Sequence, residues 1–231
     1  MRNVPTSLML FAAGFGTRMG SLTADRPKPL IEVAGRALLD HALDIGADAG
    51  VPRIVVNAHY KAEQIAAHLA GRDIAISREA PDILDTGGGL RAAMPLLGRS
   101  PVFTMNSDAI WHGPNPLALL AEAWRDDMDA LLLCVPPAHA IGHAGQGDFV
   151  MDADGRATRG AGRGLIYSGA QIIRTDALAE MPDSAFSLNV VWDKMLADAR
   201  LFGISYPGNW CDVGHPGGIK LAEDMLEHRD V

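Results

Sequence analysis

Short apolar runs alternate, over roughly the first 135 residues, with stretches whose apolar positions recur at helical spacing. Ser7-Leu8-Met9-Leu10-Phe11 is an unbroken apolar run closed by glycines, which reads as a buried strand entering a loop. Leu39, Ala42, Leu43 and Ala47 share one helical face within 38–49. Gly50-Val51-Pro52 stops that helix, and Arg53-Ile54-Val55-Val56-Asn57 is a second strand. The same alternation predicts helices near 62–69, 90–97 and 117–124, and strands over 74–77, 102–105 and 130–134. Parallel strands need right-handed crossovers, so an α/β fold with a Rossmann-like, doubly wound, mostly parallel sheet is expected.

From Pro136 the pattern changes. Pro136-Pro137 and 142–147 are loop-like, while 148–151 and 169–174 read as short strands around a turn at Asp152-Ala153-Asp154-Gly155. A small mixed or antiparallel addition is expected here. Helices over 188–199 and 217–228 and a strand over 201–205 complete the chain without an evident linker or repeat. One domain over 1–231 is therefore expected, with its two halves at 1–135 and 136–231.

Composition narrows the function classes. With 48% hydrophobic and 21% charged residues in 231, the chain is neither disordered nor collagenous. A formal charge of -8 works against sequence-independent nucleic-acid binding, which needs a basic face, and leaves room for Mg²⁺ and a small anion held by a local basic cluster. Cys134 and Cys211 lack C-x-x-C spacing and read as reduced thiols. The apolar start, Leu8 to Ala13, is too short to span a membrane, so an untargeted cytoplasmic protein with no membrane partner is expected.

The first strand runs into Ala12-Ala13-Gly14-Phe15-Gly16-Thr17-Arg18-Met19-Gly20. Gly14 and Gly16 either admit a phosphate close to backbone N–H groups or simply make a turn. Met19 stands where the dinucleotide fingerprint needs its third glycine, and no acidic residue ends the second strand, so a Rossmann dehydrogenase is disfavoured. No Walker run and no G-x-S-x-G elbow occur. In Arg26-Pro27-Lys28-Pro29-Leu30 the prolines stiffen the backbone around Lys28 and keep it out of a helix. Arg18 as a fork and Lys28 as a point charge suit a triphosphate.

Asp108 follows the strand over 102–105, at the strand end where open α/β sheets bind ligands. Asp212 follows a second short apolar run. Two hard oxygen ligands completed by substrate phosphates make an ordinary Mg²⁺ shell.

Ala12-Ala13-Gly14-Phe15-Gly16-Thr17-Arg18-Met19 followed by Pro27-Lys28-Pro29-Leu30 resembles the signature of the sugar-1-phosphate nucleotidyltransferases, the nucleoside-diphosphate-sugar pyrophosphorylases. Over nearly the whole chain the pattern is similar to their small N-acetylmuramate-1-phosphate uridylyltransferase branch. The resemblance implies that an NTP and a sugar-1-phosphate give an NDP-sugar and pyrophosphate. It implies catalytic roles for Arg18, Lys28 and Asp108, and metal binding by Asp108, in Asn106-Ser107-Asp108, and Asp212, in Trp210-Cys211-Asp212-Val213-Gly214. Nucleotide contacts fall on Ala12, Ala13, Gly14, Gly16, Thr17 and Asn106, and on Asp85, Thr86 and Gly87, where a glycine cluster opens a helix against the base. Many uridylyltransferases carry a glutamine just before that cluster, where this chain has Ile83-Leu84-Asp85.

Gly147-Asp148-Phe149 and Tyr167-Ser168-Gly169 resemble the family's sugar-facing segments, giving Gly147, Asp148, Ser168 and Gly169 as sugar contacts. Tyr167-Ser168-Gly169 replaces the more familiar Asn-Ala-Gly. Asn189 reads either as a sugar-hydroxyl partner or as a helix cap. His59 faces the nucleotide or lies in a polar core, and His139 and His143 fall in a segment that reads as a mobile loop, not a zinc site. UTP with N-acetylmuramate-1-phosphate, a cell-wall recycling step by a stand-alone enzyme, is the implied reaction. Guanylyl transfer to mannose- or heptose-1-phosphate, cytidylyl transfer to phosphocholine and a non-catalytic sugar-nucleotide sensor are its rivals.

Overall fold

The computed structural model describes residues 3–227. Its first half supplies β1 (Ser7–Phe11), β2 (Glu32–Val33), β3 (Arg36–Ala37), α1 (Leu38–Asp48), β4 (Arg53–Ala58) and α2 (Ala62–His68). β5 (Ala75–Arg78), α3 (Asp85–Leu97), β6 (Val102–Asn106), β7 (Ala109–His112), α4 (Pro116–Ala123) and β8 (Ala130–Val135) follow. The second half supplies β9 (Ala140–Ile141), β10 (Phe149–Met151), β11 (Ala157–Arg159), β12 (Ile166–Ile173), α5 (Leu188–Ala197), β13 (Leu201–Ser205), β14 (Asn209–Asp212) and α6 (Pro216–Glu227). His228, the expected end of the last helix, lies outside the described residues.

A seven-stranded sheet runs in the order β13-β8-β12-β6-β1-β4-β5. β1 pairs in parallel with β4 and β6, β4 with β5, and β8 with β13. β12 runs against both neighbours. The mostly parallel α/β sheet is as expected, and so is a small mixed and antiparallel addition beside it: β10 pairs antiparallel with β11, and β14 pairs antiparallel with β7 and in parallel with β9. Residues after 135 also enter the main sheet itself. β12 is inserted between β6 and β8, and β13 makes an edge. The sequence pattern reads only 169–174 as strand because the pairing of β12 with β8 shifts register between Tyr167 and Ala170, where Gly169 has φ 87.

The unbroken apolar run of β1 serves two faces of one sheet. Leu8 and Leu10 pack with Leu39 and Leu43 of α1, Ile65 of α2 and Leu117 of α4, while Met9 packs with Leu90 of α3 and Val191 of α5. Each such fully buried side chain contributes roughly 1.5–3 kcal/mol by burial. α1 lies close against the sheet because it carries Gly46, where a Cβ would stand 2.9 Å from methyls of both Ile54 and Leu8. α4 starts where its sequence says it should. The Asn115 side chain accepts from the amides of Leu117 and Ala118, with Pro116 at the first helical position.

This topology fixes where a ligand fits. From β1 the chain moves outward to β4 and β5, then returns to β6 on the other side of β1. The strand order reverses at the C-terminal ends of β1 and β6, and a crevice opens there.

Candidate active site

Gly16, in the loop after β1, has φ 66, and a Cβ on it would stand 2.9 Å from both Lys28 Cβ and Thr23 Cγ2. The absence of a side chain at 16 is what lets Lys28 lie against the loop. Thr23 Oγ1 donates to the Gly16 carbonyl at 3.1 Å and fastens the return. The prolines around Lys28 do exclude an α-helix, but the expectation that Lys28 stays clear of any helix is corrected. Pro27 is extended, and Lys28–Leu30 forms a single 3-10 turn closed by Ile31 N–H on the Lys28 carbonyl. Lys28 is 8% exposed, and its Nζ lies 2.6 Å from Asp108 Oδ2.

Asp108 and Asp212 are brought together by two short strands that the sequence pattern does not reveal. β7 pairs antiparallel with β14, with Asp212 opposite Ala109, and the Val213 amide donates to the Asp108 carbonyl at 3.0 Å. Arg18 joins them. Its Nη1 and Asp212 Oδ1 each lie 3.0 Å from the point a Gly214 Cβ would occupy. His143 Nδ1 sits 3.3 Å from Asp212 Oδ2, so the segment read as a mobile loop is tied to the site. β9 within it pairs in parallel with Trp210 and Cys211. Among the described residues no group of three His, Cys, Asp or Glu could hold a metal.

Two adjoining clefts open at the strand ends, and the first of them reaches Asp108. The first, about 320 Å³, is walled by Ala12, Ala13, Gly14, Gly16, Thr17, Arg18, Lys28, Asp85, Thr86, Asn106, Asp108 and Gly214. Asn57 and Glu79, which the sequence reading passed over, complete its floor. Asn57 stands one residue before the end of β4 and Glu79 directly after β5, polar positions at the C-terminal ends of parallel strands. The second cleft, about 290 Å³, shares Phe11, Asp85, Thr86 and Asn106 with the first and adds Asp148, Arg159, Tyr167, Asn189 and Trp192. Asp148 Oδ2 accepts from the Tyr167 amide at 2.8 Å.

Several expected contacts lie elsewhere. Ser168 is buried and its hydroxyl donates to the Leu133 carbonyl at 2.6 Å, inside the sheet. Gly169 packs on Asn106, where a Cβ would stand 2.7 Å from Nδ2, and Gly147 backs onto Arg163 and Gly164. Neither lines either of these two clefts. Asn189 lines the second cleft, but its side chain accepts from Arg159 Nη1 at 2.9 Å and donates to Ser187 Oγ at 3.1 Å. Ser187, not Asn189, caps α5. His59 belongs to a polar wall: its Nδ1 is 2.9 Å from the Glu79 carbonyl, and its ring meets Phe15 edge-on.

Asp85 and Thr86 line both clefts, with Asp85 at φ 58 and its carboxylate accepting from the Thr86 amide. The three glycines that follow are not free to meet a base. α3 begins at Asp85, so they form its first turns. A Cβ on Gly87 would stand 2.3 Å from the Phe186 ring, and one on Gly88 2.3 Å from the Ser184 carbonyl. Gly88→Ala is therefore expected to destabilise the fold by roughly 1–3 kcal/mol, because the obstacle is backbone. A denaturant titration with unchanged midpoint would contradict that.

Burial raises both thiols: Cys134 lies well above its usual range, and Cys211, beside the Asp212 charge, is pushed up to about 12. A raised pKa leaves the inert thiol form in place at neutral pH. Native protein at pH 8 is expected to react with no equivalents of a thiol reagent and unfolded protein with two, matching its two cysteines. Rapid native labelling would count against this packing.

Residues 8–182 match the family described as the MobA-like NTP transferase domain. The chain belongs to that family. Its relatives include N-acetylmuramate alpha-1-phosphate uridylyltransferase of Caulobacter vibrioides, 41% identical, with 98% of this chain and 99% of that protein aligned. The protein of the same name from Neisseria meningitidis serogroup B is 33% identical over 94% and 96%. In fold the chain is similar to HddC from Yersinia pseudotuberculosis complexed with GMP-PN, at a TM-score of 0.77 and 22% identity over 98% and 100% of the two chains. This MobA-like NTP transferase is a nucleotidyltransferase. The matched span holds Arg18, Lys28 and Asp108, while Asp212 lies beyond it on β14. Among the described residues no helix is long and apolar enough to cross a membrane.

Proposed function

We propose that the first cleft binds UTP, the second binds N-acetylmuramate-1-phosphate, and the enzyme joins them into UDP-N-acetylmuramate with release of pyrophosphate. One observation carries the geometry of this reading: two clefts share the wall of Phe11, Asp85, Thr86 and Asn106, with Lys28 and Asp108 lining the first. Near-full-length similarity to two uridylyltransferases supports the choice of substrates. The reaction then belongs to cell-wall recycling in the cytoplasm, where UTP is available.

In this mechanism a phosphate oxygen of the sugar-1-phosphate attacks the α-phosphorus of UTP. The new P–O bond forms as the bond to the β-phosphate bridging oxygen breaks, and pyrophosphate leaves with that electron pair. No protein nucleophile and no proton transfer is needed. The protein's work is to align the reactants and to offset charge that spreads over the phosphate oxygens. Arg18 holds non-bridging oxygens in its fork, and the buried Lys28 ammonium sits where the developing charge is greatest.

Asp108 and Asp212 would hold Mg²⁺, which prefers a few carboxylate oxygens completed by phosphates and water. When bound, the ion neutralises phosphate charge. The β7–β14 pairing, with the Val213 amide on the Asp108 carbonyl, brings these two residues together and supports this donor set. The reading is tested by kcat/KM for UTP and GTP with N-acetylmuramate-1-phosphate as acceptor. A preference for UTP of roughly tenfold or more is expected. Preference for GTP, with mannose-1-phosphate the better acceptor, would overturn it.

A further inference from the structure

The floor of the first cleft holds a buried carboxylate that the phosphate and metal assignments do not use. Glu79 is 4% exposed and Asn57 3%. The Ala12 amide donates to Asn57 Oδ1 at 2.6 Å, Asn57 Nδ2 donates to Glu79 Oε1 at 2.6 Å, and the Leu84 amide donates to Glu79 Oε2 at 2.7 Å. Three walls of the cleft are joined in this way: the loop after β1, the ends of β4 and β5, and the segment entering α3.

The order of donors along this chain is forced. A backbone N–H only donates, so Asn57 must turn its oxygen to Ala12 and its amino group to Glu79. Glu79 then receives an N–H on each side and must accept at both oxygens. A carboxylate does so and an amide cannot. Gly89 keeps the space open, since a Cβ there would stand 2.5 Å from Glu79 Oε1 and 3.0 Å from Asn57 Nδ2.

We propose that Asn57 and Glu79 are positioning residues for the nucleotide, setting the distance between the phosphate loop and the entry of α3. The Ala12 amide is committed inside the protein and not to a ligand phosphate. The proposal rests on the reading of this cleft as the nucleotide site, so its test includes a readout that needs no nucleotide.

Glu79→Gln keeps the shape but places an amino group against either Asn57 Nδ2 or the Leu84 amide, so one link breaks. The double variant Asn57→Asp/Glu79→Gln restores every bond. The new carboxylate accepts from Ala12 and from the amide now at 79, whose oxygen still accepts from Leu84. The probes are UTP with Mg²⁺ by calorimetry, the KM for the sugar phosphate, and exchange of the Ala12 amide hydrogen.

Glu79→Gln is expected to weaken UTP binding roughly tenfold or more and to speed Ala12 exchange, with the sugar-phosphate KM unchanged. The double variant returns both to near the wild-type values. Wild-type UTP affinity in Glu79→Gln, or a double variant no better than the single one, would overturn the proposal. If Glu79→Gln does not fold, the double variant decides: folded and UTP-binding supports the relay, unfolded overturns it. If wild type binds no nucleotide, the functional reading and the positioning role both fail. Ala12 exchange then still tells whether the relay itself exists.

Discussion

Lys28→Met is expected to lower kcat by roughly 10²–10³-fold while the protein stays folded. Lys28 reaches the cleft along a buried stem and ends 2.6 Å from Asp108 Oδ2, so its charge is fixed before substrate arrives. A preorganised charge needs no rearrangement during transfer, and removing one such group costs about 3–4 kcal/mol of transition-state stabilisation. Methionine fills the same space, which separates loss of charge from loss of packing. The expected pattern is a large fall in kcat, a small change in the KM for UTP, and an unchanged circular dichroism melt. Turnover within a few-fold of wild type would remove Lys28 from the mechanism.

Asp212→Asn should have an effect of similar size, but one that responds to metal. Asp108 precedes β7 and Asp212 ends β14, so the β7–β14 pairing brings the two residues together, and in the proposed Mg²⁺ site an amide would not replace either as a hard, charged ligand. In Asp212→Asn the Mg²⁺ concentration for half-maximal activity is expected to rise by an order of magnitude or more, with part of the lost rate recovered at high Mg²⁺. Asp108→Asn also strips Lys28 of its ion-pair partner, so its loss should be less recoverable. Wild-type rates at ordinary Mg²⁺ in either variant would refute the ligand assignment.

What the sequence made legible follows from how local each feature is. The loop after β1 and Asp108 after β6 were readable because a buried apolar run ending in glycine or acid marks a strand end in an open α/β sheet. Asp212 was readable as an aspartate after a short apolar run and as part of a motif. Its place beside Asp108 depends on two four-residue strands more than ninety positions apart, with no periodicity to announce their pairing. β12 was half hidden by its own bulge at Gly169, and that bulge also turns the Ser168 hydroxyl into the sheet and away from a sugar. The glycines after Thr86 looked like room for a base. They are room for Phe186 and Ser184, which approach from a segment about a hundred residues later. Asn57 and Glu79 were overlooked because a hydrogen-bonded relay between strand ends leaves no spacing rule in the chain.

The central claim is nucleotidyl transfer to a sugar phosphate, and the most direct measurement is product identification by mass after incubation with Mg²⁺, UTP and N-acetylmuramate-1-phosphate. The account predicts UDP-N-acetylmuramate and pyrophosphate in equal amounts, with formation abolished in Asp108→Asn. No NDP-sugar from this pair, or from any pairing of UTP, GTP, CTP, ATP and dTTP with a panel of sugar-1-phosphates and phosphocholine, would contradict it, and nucleotide binding without turnover would point instead to a sensor.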